Sequence, residues 1–449
     1  MPVHRIGLLR GETVYALADE LEAWQRAMES RGDGGAEVAA EPAGPGAAPE
    51  APSGPDLLRA SSDGRARPPR SERGQRARLA VPATVAMILL AVAGWAVRSA
   101  FSTHPGSGSG GPLSQPARAD IEGDALVVYD SAGHSLWRHR FDFRLTPRAY
   151  QDERRAGRDP VLIDDPDLDG SQEVLFVAEP DQIGPNGALY CFDRSGALRF
   201  VYRAQYRVTY GPLKCVPPWR PSFAKAFGKP GRPHRIWFVS FHLKEFPTVV
   251  DELDPKGHVL GHYWSDGQVM TLTEATIGGR PVVLAGGVNN ETHGASLAVL
   301  DARRPTGTAP AESGHYKCPN CPAGSPLAFL VFPALDATMA VGSYATVETA
   351  AADADGQITL VLVHGTGGVI PEAESSAESE SLYVVDSRFR VVKAELGQGY
   401  KAVHRLFEKK GYLDHRFGAA EDARLLWPVR RWNAAAGRFD LVTGVESSR

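Results

Sequence analysis

The chain has 449 residues, with 49 Lys and Arg against 53 Asp and Glu and a formal net charge of −4 at pH 7. That length leaves room for two or three domains, and the slight acidic balance excludes a nucleic-acid surface spread over the whole molecule. With only 4 cysteines it is no disulfide-held scaffold, and its 43% hydrophobic content is ordinary for a globular chain.

Residues 1–30 predict a β-hairpin over Val3 to Tyr15, turning near Gly11, and then a helix of about three turns. Asp19 and Glu22 have the N-cap and N3 spacing of a capping box, and Leu17, Leu21, Trp24 and Met28 share one helical face. Thirty residues do not bury a core of their own, so this fragment predicts a missing partner.

Residues 31–78 are Gly, Ala, Pro, Glu and Arg with almost no large apolar side chain. Such a stretch cannot offset its ordering entropy by burial, and predicts a disordered cytoplasmic linker. Residues 79–98 predict a transmembrane helix: Leu79 to Val97 carries no charge, and a bilayer core takes about 20 apolar residues. Arg65, Arg67, Arg70, Arg73, Arg76 and Arg78 precede it, whereas Arg98 is followed by no other charge before Arg118. That bias predicts a single pass through a bacterial inner membrane, with a cytoplasmic N-terminus and an external C-terminal domain. Residues 99–117, rich in Gly, Ser and Pro, predict a flexible linker.

Residues 118–449 repeat one pattern. "ALVVYDSAGHSLW", "ALYCFDRSGALRF", "VVDELDPKGHVLG", "SLAVLDARR" and "SLYVVDSRFRVVK" each join a strand to a turn through Asp130, Asp193, Asp254, Asp301 or Asp386. A further strand precedes most copies. The reading is mostly β, and repeats of this size predict an extracytoplasmic β-propeller of about 5–7 blades, whose loop face takes an unknown ligand or protein.

"DDPDLDGSQEV" carries the densest candidate chemistry. Asp165, Asp167, Asp169 and Glu173 alternate around Gly170, and the carbonyl of Ser171 offers one more oxygen. Hard oxygen donors at that spacing suit Ca²⁺. "AADADGQ" keeps only Asp353, Asp355 and Gly356, a weaker version. Cys318 and Cys321, between prolines, predict a local disulfide, and Cys191 and Cys215 are candidates to pair with each other. No nucleophile elbow, phosphate loop or paired-His motif is present, so no catalytic residue is assigned.

Two resemblances accompany these readings. Pro2, Val3, His4, Arg5, Gly11, Val14, Tyr15, Ala16, Glu20, Leu21, Ala23 and Trp24 resemble the wing and last helix of a winged helix-turn-helix module of bacterial regulators. The resemblance implies an upstream helix-turn-helix, with Arg5 and Arg10 near phosphates; without it the chain is not expected to bind DNA specifically. A start assigned too late would account for the fragment. The repeats, with the Asp165 loop, resemble FG-GAP or VCBS-type propellers, and more loosely pyrroloquinoline-quinone-like repeats, although the adjacent cysteines of the quinone enzymes are lacking. Together these imply a membrane-anchored binding or sensor protein, a truncated membrane-bound transcription regulator; a propeller hydrolase or lyase and an adhesive envelope protein are the alternatives.

Overall fold

The computed structural model describes residues 4–8, 11–15 and 114–442, apart from 146–149, 152, 155–156, 182–186, 230, 370–378, 419–425 and 427. At the N-terminus, β1 (His4–Leu8) pairs antiparallel with β2 (Gly11–Tyr15), Arg5 lying opposite Val14. Arg10, the expected helix after Tyr15, the linker at 31–78 and residues 99–113 of the second linker lie outside the described residues. The last residues of that second linker, 114–117, are held, with Gln115 hydrogen-bonded to Gly170 and Gln172 and the N–H of Ala117 donating to the Tyr129 carbonyl.

Five sheets follow, antiparallel apart from one short parallel pair in the third. The first holds β3 (Arg118–Glu122), β4 (Ala125–Tyr129) and β5 (Ser135–Arg140); the second holds β6 (Val161–Asp164), β7 (Glu173–Ala178), β8 (Ala188–Phe192) and β9 (Leu198–Tyr202). A small hairpin, β10 (Val208–Tyr210) and β11 (Leu213–Cys215), leads into the third sheet: β12 (Arg220–Phe227), β13 (Arg235–Phe241), β14 (Thr248–Leu253) and β15 (Val259–Ser265). The fourth starts with β16 (Val269–Ile277), β17 (Arg280–Asn289) and β18 (Gly294–Asp301). Next, β19 (Gly307–Thr308) runs parallel to β15 on the third sheet, and β20 (Ala328–Val331) returns to the fourth. After helix α1 (Asp336–Ala340), the fifth sheet holds β21 (Ala345–Ala352), β22 (Ile358–His364), β23 (Glu380–Val385) and β24 (Val391–Leu396). Helix α2 (Gln398–Lys410) follows, and β25 (Arg430–Asn433) and β26 (Arg438–Leu441) complete the fourth sheet.

Each sheet packs on the next. The first and second share a core around Leu126, Val128, Phe176 and Phe192; the second and third share Leu175, Leu189, Ile236 and Phe238. Trp237, Val250, Val283 and Phe329 join the third to the fourth, and Leu284, Leu297, Leu360 and Tyr383 join the fourth to the fifth. Strands between two such cores are apolar on both faces, as in the fully buried β7 and β8.

The repeat is a repeat of hairpins. Asp130, Asp193, Asp254, Asp353 and Asp386 each accept two backbone N–H groups, from the residues two and four positions on. The residue three positions on has positive φ: Gly133, Gly196, Gly257 and Gly356, but Phe389 in the last copy. The carboxylate therefore closes the turn, and glycine supplies the left-handed backbone at four of the five sites.

The expected propeller is corrected: the sheets form no closed propeller. Three strands in the first sheet and six in the fourth are not equal blades. In a closed ring the last strands would complete the first sheet, whereas β25 and β26 are captured by β20 on the fourth. Among the described residues no apolar core joins the first sheet to the fifth. The membrane reading is corrected as well. Among the described residues no helix is long and apolar enough to cross a membrane, and the span expected at 79–98 lies outside them, so a single-pass inner-membrane protein is not supported.

Candidate functional site

The acidic loop joins β6 to β7. Its backbone turns at Leu168, with φ of 60°, and at Gly170, with φ of 84°. Asp165 braces the turn by accepting the N–H groups of Asp169 and Gly170 at 3.0 and 2.9 Å. Asp169 in turn accepts the N–H of Ser171 at 2.8 Å. Gln115 clasps the loop from outside, donating to the Gly170 carbonyl and accepting from the N–H of Gln172.

Asp165, Asp167 and Glu173 bring one carboxylate oxygen each to within 4.8 Å of one another, which could hold a metal ion. Asp169 and Ser171 are not in that group. Arg199, from β9, reaches into it and pairs with both Asp167 and Glu173. Even so, Asp167 Oδ1 and Glu173 Oε2 are buried without a hydrogen-bond partner. Burial pushes the Glu173 carboxyl up to about 7 against the pull of Arg199. Three acidic ligands with one guanidinium leave excess negative charge, and two oxygens there lack a donor. Asp353 of the weaker loop is different, because its carboxylate is spent closing a β-turn.

The four cysteines divide. Cys318 and Cys321 are bonded, with their Cα atoms 5.4 Å apart. The suggested Cys191–Cys215 pair does not form; both are buried free thiols. Cys191 belongs to the core between the second and third sheets, and Cys215 packs with Trp219, Val249 and Trp264.

A second region, absent from the sequence reading, is a cleft of about 490 Å³ lined by Glu245, Phe246, Gln268, Val288, Asn290, His315, Tyr316 and Tyr344. Three non-glycine residues around it have positive φ: Glu245 at 59°, Phe246 at 54° and His293 at 55°. Such backbone is costly and persists where the surroundings over-determine it. His293 stacks on Tyr344 with ring centroids 4.5 Å apart. Behind the cleft, buried Asp266 receives Asn289 Nδ2 and the N–H of Asn290, and burial pushes its carboxyl up to about 7. Asn290 Nδ2 donates to the carbonyls of Glu245 and Asp266, tying the strained turn to the floor.

His315 and Tyr316 line another side of the cleft, and the disulfide loop that follows them is tied to the β10–β11 hairpin. Asn320 accepts the N–H of Thr209 and donates to the Arg207 carbonyl, and the N–H of Gly211 donates to the Lys317 carbonyl. Gly211 lies so close to the His315 backbone that a Cβ there would meet its carbonyl oxygen at 2.5 Å. The residues lining the cleft are scattered from 245 to 344, and turn signals alone do not bring them together.

No family model matches the sequence, and no curated protein matches it. The resemblances to FG-GAP, VCBS and quinone-type propellers and to the winged helix-turn-helix are corrected accordingly. Solved structures that match include a protein proposed to be a glycosidase, from Bacteroides thetaiotaomicron. It is 11% identical with a TM-score of 0.27, over 52% of this chain and 71% of the other. That likeness carries no argument about fold or chemistry.

Proposed function

We propose that the chain is a non-enzymatic binding protein that takes its ligand in the cleft framed by Phe246, Tyr316 and Tyr344. The observation that carries this reading is one cleft lined by two positive-φ residues, Glu245 and Phe246, and by presented aromatic rings, with a third positive-φ residue, His293, stacked on Tyr344. Phe246 and Tyr344 are 47% and 42% exposed there, although large apolar side chains are usually withdrawn from water. Ring faces beside Glu245, Gln268, Asn290 and His315 suit a ligand with a flat apolar face and hydroxyl-rich edges. A saccharide combines both. Affinity electrophoresis of the full chain through gels holding soluble polysaccharides tests it. Retardation by at least one polysaccharide, abolished in Tyr344→Ala and Phe246→Ala, is the expected outcome. Equal mobility in every gel would sink the reading.

The acidic loop is assigned to Ca²⁺ in the same proposal. Its donors are all oxygens, and Asp167 Oδ1 and Glu173 Oε2 lack partners that a cation would supply. The ion's role is to hold the β6–β7 turn. Addition of Ca²⁺ is expected to raise the melting temperature of the wild type and leave Asp167→Asn unmoved.

A further inference from the structure

We infer that Asp336, His404 and His415 form a binding site for a divalent transition-metal ion of the zinc class. Three segments supply it. Asp336 is the first residue of α1, and His404 lies on α2. The left-handed Gly411, with φ of 78°, ends α2 and sends the chain back so that His415 meets both. Tyr400, Val403 and Phe407 bury α2 against the core of the fourth and fifth sheets, which fixes the direction in which His404 projects.

The geometry is that of convergent ligands. His404 Nε2 lies 3.2 Å and His415 Nε2 2.7 Å from the same oxygen, Asp336 Oδ2. One ligand atom from each residue falls within 4.8 Å of the others. In a tetrahedral site with bonds near 2.0 Å, neighbouring ligand atoms lie about 3.3 Å apart. The His404 distance already matches, and the His415 distance needs to open by about 0.6 Å on that figure.

The surrounding contacts orient the rings. His404 Nδ1 lies 2.8 Å from Glu408 Oε1, and His415 Nδ1 lies 3.1 Å from Asp414 Oδ1. Tyr400 donates to Asp336 Oδ1, and the N–H of Phe417 holds Glu408. A carboxylate on the far nitrogen of each imidazole is the usual outer arrangement of a metal-bound histidine, because it fixes the Nδ1–H tautomer and aims the Nε2 lone pair.

Each ring here has a carboxylate at both nitrogens. Either a doubly protonated imidazole or a cation on the Nε2 side satisfies that arrangement; zinc binding is what separates the metal site from an ion-paired cross-link. One dication between the two Nε2 atoms and Asp336 serves both rings at once, while both Nδ1–H groups keep their carboxylates. Two nitrogen donors select zinc-like ions over calcium. His404 is fully buried, whereas the His415 and Asp336 side chains are 33% and 19% exposed, so an ion reaches the site from one side.

The test uses the full chain without a histidine tag, stripped with EDTA and titrated with ZnCl₂ in a calorimeter. One equivalent is expected to bind. Asp336→Asn and His415→Ala should each weaken binding at least tenfold, Glu408→Gln about 10–100-fold, and Asp167→Asn not at all. X-ray absorption of the zinc-loaded wild type adds a readout that needs no variant to fold, and should show two imidazoles around the metal. Absence of wild-type binding, an all-oxygen shell, or loss of binding only in Asp167→Asn would overturn the inference.

Discussion

The acidic loop and the Asp336 cluster each gather three ligating side chains within the same distance, but they are built differently. Asp165, Asp167 and Glu173 are neighbours in sequence, and a tight turn collects them. Asp336, His404 and His415 come from separate segments, and packing of α2 collects them. The loop already holds a cation, the guanidinium of Arg199. In the helical cluster, carboxylates orient both rings from behind. Local turns thus make sites that a change in backbone can undo, whereas the helical cluster stands or falls with the core.

The largest test of that difference is Phe407→Ala. This fully buried ring anchors α2, and its loss should cost about 3–5 kcal/mol of stability by urea unfolding. Zinc binding should weaken with it, while the Ca²⁺-dependent rise in melting temperature persists. If both responses vanish together, the two regions are not independent.

A smaller effect sharpens the loop side. Burial raises the Glu173 carboxyl from 4.5 to about 7, so the native state binds more protons than the unfolded chain between those values. Stability in EDTA should therefore fall as pH rises through that window, with the penalty complete above about 7. Glu173→Gln should flatten that part of the profile. Calcium should reverse it, because the ion binds the charged form, and the Ca²⁺-induced melting shift should grow from pH 5 to pH 8. A calcium shift independent of pH would remove Glu173 from the site.

The smallest effect concerns the turns. Asp254→Ala removes the acceptor for the N–H groups of Lys256 and His258 and should cost about 1 kcal/mol. Phe389→Gly should lie closer to neutral in the same urea assay. It relieves a left-handed non-glycine residue, a strain of about 1–2 kcal/mol, but forfeits packing on the core and the Arg431 contact.

What could be read in the sequence follows the same division. The Asp-turn hairpins were legible because the carboxylate, the turn and the glycine lie within five residues, as at Asp193 to Ala197. The acidic loop was legible for the same reason, although Arg199, a strand away, was not. Sheet closure was not legible, because the pairing of β25 with β20 bridges the whole fifth sheet. His404 and Glu408 have helical spacing on α2, a usable signal, but nothing local points to Asp336 or His415. The cleft was hidden because its ring faces and strained turns come from loops of different sheets.

The return of β25 and β26 to the fourth sheet has a consequence for how the molecule comes apart. The fifth sheet is threaded between two segments of the fourth, so it cannot peel away while both remain paired. Among the described residues the first sheet has no such tether: it rests on one neighbour through one shared core. Unfolding should then begin at that end, and amide hydrogens of β3 to β5 should exchange by smaller openings than those of β21 to β24.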